Sequence, residues 1–291
     1  MLNRTINKTS FSVAGLIAVI FLCVANTSLV SAKDNPDSTA QDTRAELSKH
    51  ANSPGRSDKN RARIDARHPV ETLMFFGLRD DMTVVEVAPG SGVWYTEILA
   101  PFLRDTGTLY AGSYNPDSES EYQQRGAAKY FEKMAASPEL FDQIKQTVFD
   151  VPTRMELGPD GVADRVLSFR NFHGWAGDNH ELAALQAMYN VLKPGGVMGI
   201  VQHRMNEETD EGGKPGDTGY IKTSHVIRIA EQAGFELLAK SEINANPKDT
   251  KDHPEGVWTL PPSMALKEVD ADQYRAIGES DRMTLKFIKP E

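Results

Sequence analysis

Between residues 67 and 289, short β-type runs alternate with helical patterns, and that alternation constrains the fold more than any other feature of the sequence. Strands that are each followed by a helix return to the same edge and run parallel, with helices packed on both faces of the sheet. The runs fall at 83–88, 107–112, 147–151, 165–169, 197–202, 235–243 and 283–288, with helical patterns at 93–103, 120–135, 179–192 and 224–233. A shorter helix is expected over 69–77, opened by Pro69 and closed by Gly77, with Val70, Leu73 and Met74 on one side. The expected architecture is an α/β, doubly wound, seven-stranded sheet whose last strand is antiparallel.

The N-terminus has a different character. Arg4 and Lys8 precede an apolar run from Phe11 to Ala25, and Val30-Ser31-Ala32 sets small residues where a signal peptidase cuts. The run is shorter than the roughly 20 residues a membrane span needs. A cleavable signal peptide over 1–32 is expected, with export to the periplasm and no stable membrane association after cleavage. Cys23, the one cysteine, lies inside this segment and follows Leu22, a residue unsuited to lipid attachment, so a mature chain has no disulfide or thiol chemistry. Residues 33–60 are polar and lack apolar periodicity, the signature of a disordered linker, which leaves 61–291 as the folded domain. The net charge of −9 argues against nucleic acid or an anionic membrane as partner, and loss of Arg4 and Lys8 makes the remainder more acidic.

The first strand ends in Glu86-Val87-Ala88-Pro89-Gly90-Ser91-Gly92 and opens a helix. Glycines at such a turn let a ligand approach the backbone, with helix N–H groups facing it. A dinucleotide fingerprint needs a further glycine where Tyr95 stands, and a Walker loop needs a Gly-Lys-Ser/Thr that is absent. No Lys or Arg occurs between Asp81 and Arg104, and Glu86 adds a carboxylate that repels pyrophosphate and suits ammonium and sulfonium groups.

This segment resembles motif I of the class I S-adenosylmethionine-dependent methyltransferases, with Gly90 and Gly92 matching and Ala88 in place of the first glycine. Leu192-Lys193-Pro194-Gly195-Gly196, before the fifth strand, resembles another hallmark turn of that family, and the order of elements over 67–289 agrees with its Rossmann-like fold. The whole pattern is similar to a bacterial subgroup of such proteins that carry signal peptides. The resemblance implies S-adenosylmethionine as cofactor and a small-molecule methyl acceptor as partner. It implies that Glu86, Ala88, Gly90, Ser91 and Gly92 line the methionine part of the cofactor. The acid that usually ends strand two is missing, so Ser113 or Asn115 takes the ribose hydroxyls, and Asp150 matches the position that meets the adenine amino group.

In a parallel sheet the site lies beyond the carboxyl ends of the strands. Strand four delivers Arg170, His173 and Trp175 there, strand five His203 and Arg204, and the long link over 244–282 carries Asp249, Asp252, His253 and Trp258 as a substrate cover. Methyl transfer needs alignment of the acceptor and, for an oxygen or nitrogen acceptor, removal of its proton, so His173 or His203 is the candidate general base. Arg170 and Arg204 are candidates for binding an acidic substrate, and Trp175 and Trp258 for an apolar wall. A metal-assisted variant would use His173, His203 and His253 or Asp252, although no close ligand spacing supports it and no metal is expected. Two other readings remain open: an exported ligand-binding or sensory domain without catalysis, and a nicotinamide oxidoreductase, which needs pyrophosphate at the glycine loop.

Overall fold

The computed structural model describes residues 36–209 and 214–291. The expected signal peptide over 1–32 lies outside them. Nine strands form one sheet: β1 (Thr83–Val87), β2 (Thr108–Ser113), β3 (Lys145–Asp150), β4 (Arg154–Met155), β5 (Ala163–Phe169), β6 (Leu192–Met205), β7 (Ile221–Lys222), β8 (Glu236–Ser241) and β9 (Arg282–Ile288). Their order is β4-β3-β2-β1-β5-β6-β9-β8, with β7 beside β6. The strands β3, β2, β1, β5 and β6 pair in parallel, while β9 is antiparallel to both β6 and β8. Successive connections run outward from β1 in one direction and from β5 in the other, so the order reverses between β1 and β5. A ligand crevice opens at such a switch point.

The seven expected strands are present, and the count of nine corrects the expectation. The additions, β4 antiparallel to β3 and β7 parallel to β6, are two residues long. An alternating pattern is not readable at that length.

The described helices are α1 (Pro36–Ala51), α2 (Asp58–Arg61), α3 (Ile64–Arg67), α4 (Pro69–Phe75), α5 (Thr96–Leu103), α6 (Glu121–Ala136), α7 (Pro138–Phe141), α8 (Phe172–Gly177), α9 (Glu181–Val191), α10 (Thr223–Gln232) and α11 (Ala271–Ile277). Strand alternation divides the apolar residues between two cores. Val85 and Val87 join Met198, Leu285 and residues of α8, α9 and α10 on one face. Val84, Leu167 and Val201 meet α1, α4, α5 and α6 on the other.

Residues 36–60 are not the linker expected over 33–60. Thr43, Leu47 and Ala51 are buried at spacings of one helical turn, and α1 packs on α4 and α5 through them. Three small or medium residues in a polar helix make too narrow a stripe to register as periodicity, and tertiary burial supplies what propensity does not. Leu47 is fully buried among Leu73, Ile98 and Leu99. Leu47→Ala is therefore expected to lower the unfolding free energy by about 2–4 kcal/mol in urea denaturation; a change below about 0.5 kcal/mol would mean α1 does not dock.

Candidate functional site

A cleft of about 480 Å³ runs along the carboxyl ends of β3, β2, β1 and β5. Its lining includes Ala88 and Gly90 after β1, Ser113 and Tyr114 at β2, Asp150 at β3, and Arg170, Asn171, His173 and Trp175 after β5. Sequence order scatters these groups, and the parallel sheet collects them.

The glycine loop is shaped by left-handed backbone at Ala88 (φ 49°), Gly90 (φ 71°) and Val93 (φ 44°). Ala88 thus keeps the conformation a glycine would adopt, at a cost of about 1–2 kcal/mol for its Cβ. Ala88 N–H donates to the Gly112 carbonyl (2.9 Å), and Asn171 Nδ2 donates to the Val87 carbonyl (2.9 Å). Tyr114 covers the loop: its hydroxyl accepts from Ser91 N–H (3.2 Å), and its ring lies where a Cβ on Gly126 of α6 would come within 2.4 Å. Burial pushes the Tyr114 hydroxyl up to about 12, so it stays protonated and neutral.

Asn115 Nδ2 donates to Asp150 Oδ2 (2.9 Å) while its backbone N–H donates to Gln123 Oε1 (3.3 Å). Asn115 is buried and does not line the cleft, so its part is to hold Asp150. Ser113 lines the cleft with a buried Oγ that has no hydrogen-bond partner. The far wall is Trp175, edge-on to Phe149 and Phe172.

Glu86 departs from its expected place. It shares the face of Val84, is 1% exposed, and accepts from Thr96 Oγ1 of α5 at 2.7 Å. Burial pushes its carboxyl up to about 7, opposed by the Thr96 bond. The period of two turns Glu86 away from the cleft, and Asp150 and Asp178 are the cleft's carboxylates instead. The turn that lacks cations in sequence acquires one in space: Lys133 Nζ of α6 lies 3.5 Å from the Gly92 carbonyl and 2.6 Å from Glu97 Oε1. Ser91 and Gly92 flank the cleft without lining it.

His173 lines the cleft and is held near neutrality of charge: burial lowers it to about 4, with Arg170 adding to the effect and Gln202 opposing it. Gln202 Nε2 donates to the Gly219 carbonyl (2.9 Å) and lies 3.4 Å from His173 Nδ1. An amide donor against Nδ1 is compatible with the neutral tautomer that carries its proton on Nε2. His203 is buried behind His173, ring centroids 5.7 Å apart, with Nδ1 2.5 Å from Ser280 Oγ. Burial first, then its cationic neighbours, hold it well below the usual imidazole range. The expected general base meets two obstacles: His203 is outside the cleft, and burial makes His173 a weak base. His173 as donor and His203 as its support fit the geometry better.

Arg204 is ion-paired with Asp281 (2.9 Å) and Glu242 (2.8 Å), which removes it as a substrate group, whereas Arg170 makes no ion pair among the described residues. Among the described residues no three His, Cys, Asp or Glu side chains could hold a metal ion, and His253 Nε2 is engaged by Asp249 (2.9 Å). Sequence reasoning passed over Tyr114, Tyr122, Gln123 and Asn171; Tyr114, between Ser113 and Asn115, was the one with a positional signal.

The Glu86 carboxyl gives a test of this geometry. The folded chain holds its proton between its ordinary value of 4.5 and about 7, so this group's contribution to stability declines as pH rises through that window. Unfolding free energies in urea at about pH 5 and about pH 8 should differ by up to about 3 kcal/mol more for the wild type than for Glu86→Gln. Equal differences would show that Glu86 is solvated.

No protein-family model matches the sequence, and no curated protein matches it. Solved structures do match in fold. A SAM-dependent methyltransferase from Aquifex aeolicus is 17% identical with a TM-score of 0.51, over 84% of this chain and 98% of that one. The [4+2]-cyclase SpnF is 18% identical with a TM-score of 0.52, over 77% and 80%. The chain therefore has the Rossmann-like α/β fold found in S-adenosylmethionine-dependent methyltransferases, built on a mixed nine-stranded sheet with an antiparallel β9.

Proposed function

We propose that this protein binds S-adenosylmethionine and transfers its methyl group to a small-molecule acceptor. The observation that carries the reading is the cleft at the β1–β5 switch point, which joins a glycine-loop floor to polar groups on both sides. The residues fit the cofactor. Ser113 Oγ is an unsatisfied hydroxyl on the ribose side, Asp150 is a fixed acceptor for an amino group, and Gly90 leaves the loop backbone open. When bound, the cofactor supplies an activated methyl on a cationic sulfur. The chain's own work is then to align the acceptor and exclude water. Trp175 and Phe149 supply an apolar wall, and His173 offers its Nε2 proton to the acceptor.

A [4+2]-cyclase shares the fold, so fold alone does not fix the reaction, and no observation favours binding without catalysis. The neutral His173 in the cleft favours an enzyme. We also propose export, on the basic, apolar and small-residue order of 1–32. Cell fractionation should find a shortened chain outside the cytoplasm; a full-length cytoplasmic chain would refute export alone.

Calorimetry with S-adenosylhomocysteine should give saturable binding, with NADH giving none. Gly90→Asp puts a carboxylate on the open face of a left-handed glycine and should abolish binding in a folded protein. Retained binding would sink the glycine-loop assignment. Methyl transfer, read as S-adenosylhomocysteine released in a cell extract, should fall roughly tenfold to a hundredfold in His173→Ala with cofactor affinity unchanged. Unchanged turnover would make His173 structural.

A further inference from the structure

Beside the cleft, four guanidinium groups gather around one carboxylate. Glu279 takes Arg63 Nε (2.5 Å), Arg67 Nε (3.2 Å) and Arg282 Nη1 (3.3 Å), and Arg170 stands next to them at the cleft wall. Burial alone would raise Glu279, yet Arg67, Arg63 and Arg282 bring it to about 2. The four guanidinium groups outnumber the one carboxylate they share.

The imbalance is concentrated on particular atoms. Arg67 is 1% exposed, and its Nη1 and Nη2 have no partner; Arg63 Nη2 is likewise buried and unpartnered. The Arg67 guanidinium carbon lies over the Trp94 ring, 4.6 Å from its centroid, and that contact uses neither Nη1 nor Nη2 as a hydrogen-bond donor. Burial, and after it Arg170, presses Arg67 down to about 8 against the pull of Glu279. Arginine keeps its proton under nearly all conditions, so that pressure registers as an unstable cation. Arg282, by contrast, is satisfied by Glu279, Ser280 and Ala66. Buried cations without partners are among the least tolerated features of a protein interior.

We propose that Arg170, with Arg67 behind it, receives an ionised oxygen group of the methyl acceptor, a carboxylate or comparable oxyanion. This deepens the methyl-transfer reading and rests on it. The donor groups Ser113, Asp150 and Gly90 stand at β2, β3 and β1, whereas Arg170, His203 and Arg282 belong to β5, β6 and β9 on the other side of the switch point. Arg170, the one member of the cluster that lines the cleft, is therefore on the acceptor's half of it, with the others packed behind. Arg170 is cleft-lining, free of ion pairs among the described residues, and set on left-handed backbone (φ 65°), a conformation uncommon outside glycine that persists where the surroundings impose it. Beside it His173 lines the cleft, and its Nε2-protonated tautomer offers an N–H donor. A planar guanidinium with a neighbouring N–H matches the two oxygens of a carboxylate. Where the ionised oxygen is itself the methylated atom, its lone pair forms the O–C bond as the C–S bond breaks, the sulfonium becomes a neutral thioether, and no proton has to be removed, which agrees with two imidazoles that are weak bases.

The test uses the full chain loaded with S-adenosylhomocysteine and two probes of equal shape, benzoate and benzamide. Benzoate should raise the melting temperature saturably and benzamide should not. Arg170→Gln should weaken benzoate at least about tenfold with S-adenosylhomocysteine affinity unchanged. Arg67→Gln is held to the same expectation and serves if Arg170→Gln does not fold. Equal effects of the two probes, or benzoate binding that survives both variants, would overturn the proposal. Loss of S-adenosylhomocysteine affinity in step with benzoate would also overturn it, by giving the cluster to the cofactor's own carboxylate. Failure of the wild type to bind S-adenosylhomocysteine would instead refute the cofactor reading, which the benzoate comparison on the unloaded chain leaves separate.

Discussion

Glu97, in the first turn of α5, is the charge on which the floor of the cleft depends. It is 3% exposed and accepts from Arg56 Nε (3.2 Å), Asn60 Nδ2 (2.9 Å) and Lys133 Nζ (2.6 Å). Asn60 and Lys133 also reach the Gly92 carbonyl, and Arg56 Nη2 donates to the Trp94 carbonyl (2.9 Å). The N-terminal stretch, the glycine loop and α6 are thus joined at one buried carboxylate. Such a hub adds little net stability, because desolvation offsets its attraction, but removing one partner strands a charge at about 3–5 kcal/mol. Its effect is to give the loop one position.

A loop held in that way lets the cleft be polarised. Toward β3 the polar groups are Ser113 and Asp150, with Asn115 fixing Asp150 from behind. Toward β6 they are Arg170 and His173, backed by Gln202 and His203. Ala88, Gly90 and the aromatic side chains of Phe149 and Trp175 line the cleft with them, and Asp178, at the end of α8, is a second carboxylate. A cleft that carries both signs of charge orients an occupant more than it attracts one sign.

The strands were legible because each is a run such as Thr83-Val84-Val85-Glu86-Val87, bounded by turn residues. The same run contained a warning about Glu86: in a period of two it shares a side with Val84, and the opposite side carries Val85 and Val87. Asp150 was legible because strand ends are positions a pattern can locate. His203 was placed one layer too near the cleft, since a single sequence does not say which of two neighbours on β6 points outward. Arg63 and Arg67 were invisible as a site, because Glu279 and Arg282, more than two hundred residues away, give them meaning. The helix over 36–51 was lost for want of apolar residues, its burial being supplied by α4 and α5.

Strain marks the same edge. Ala88, Val93 and Arg170 are non-glycine residues in left-handed backbone at the ends of β1 and β5, a conformation that costs each about 1–2 kcal/mol. For Val93 the β-branch makes it worse. Against the 5–15 kcal/mol by which a domain is stable, about 3–6 kcal/mol stored at one edge is a large fraction. It persists because neighbouring strands hold the backbone: Ala88 N–H on Gly112, Arg170 N–H on the Val201 carbonyl (2.7 Å), and Val93 N–H on Gly90 (3.1 Å). Two of those three bonds cross to an adjacent strand. The geometry of the switch point is thus bound into the sheet itself, so a ligand meets groups already in place and little of its binding free energy goes into ordering them.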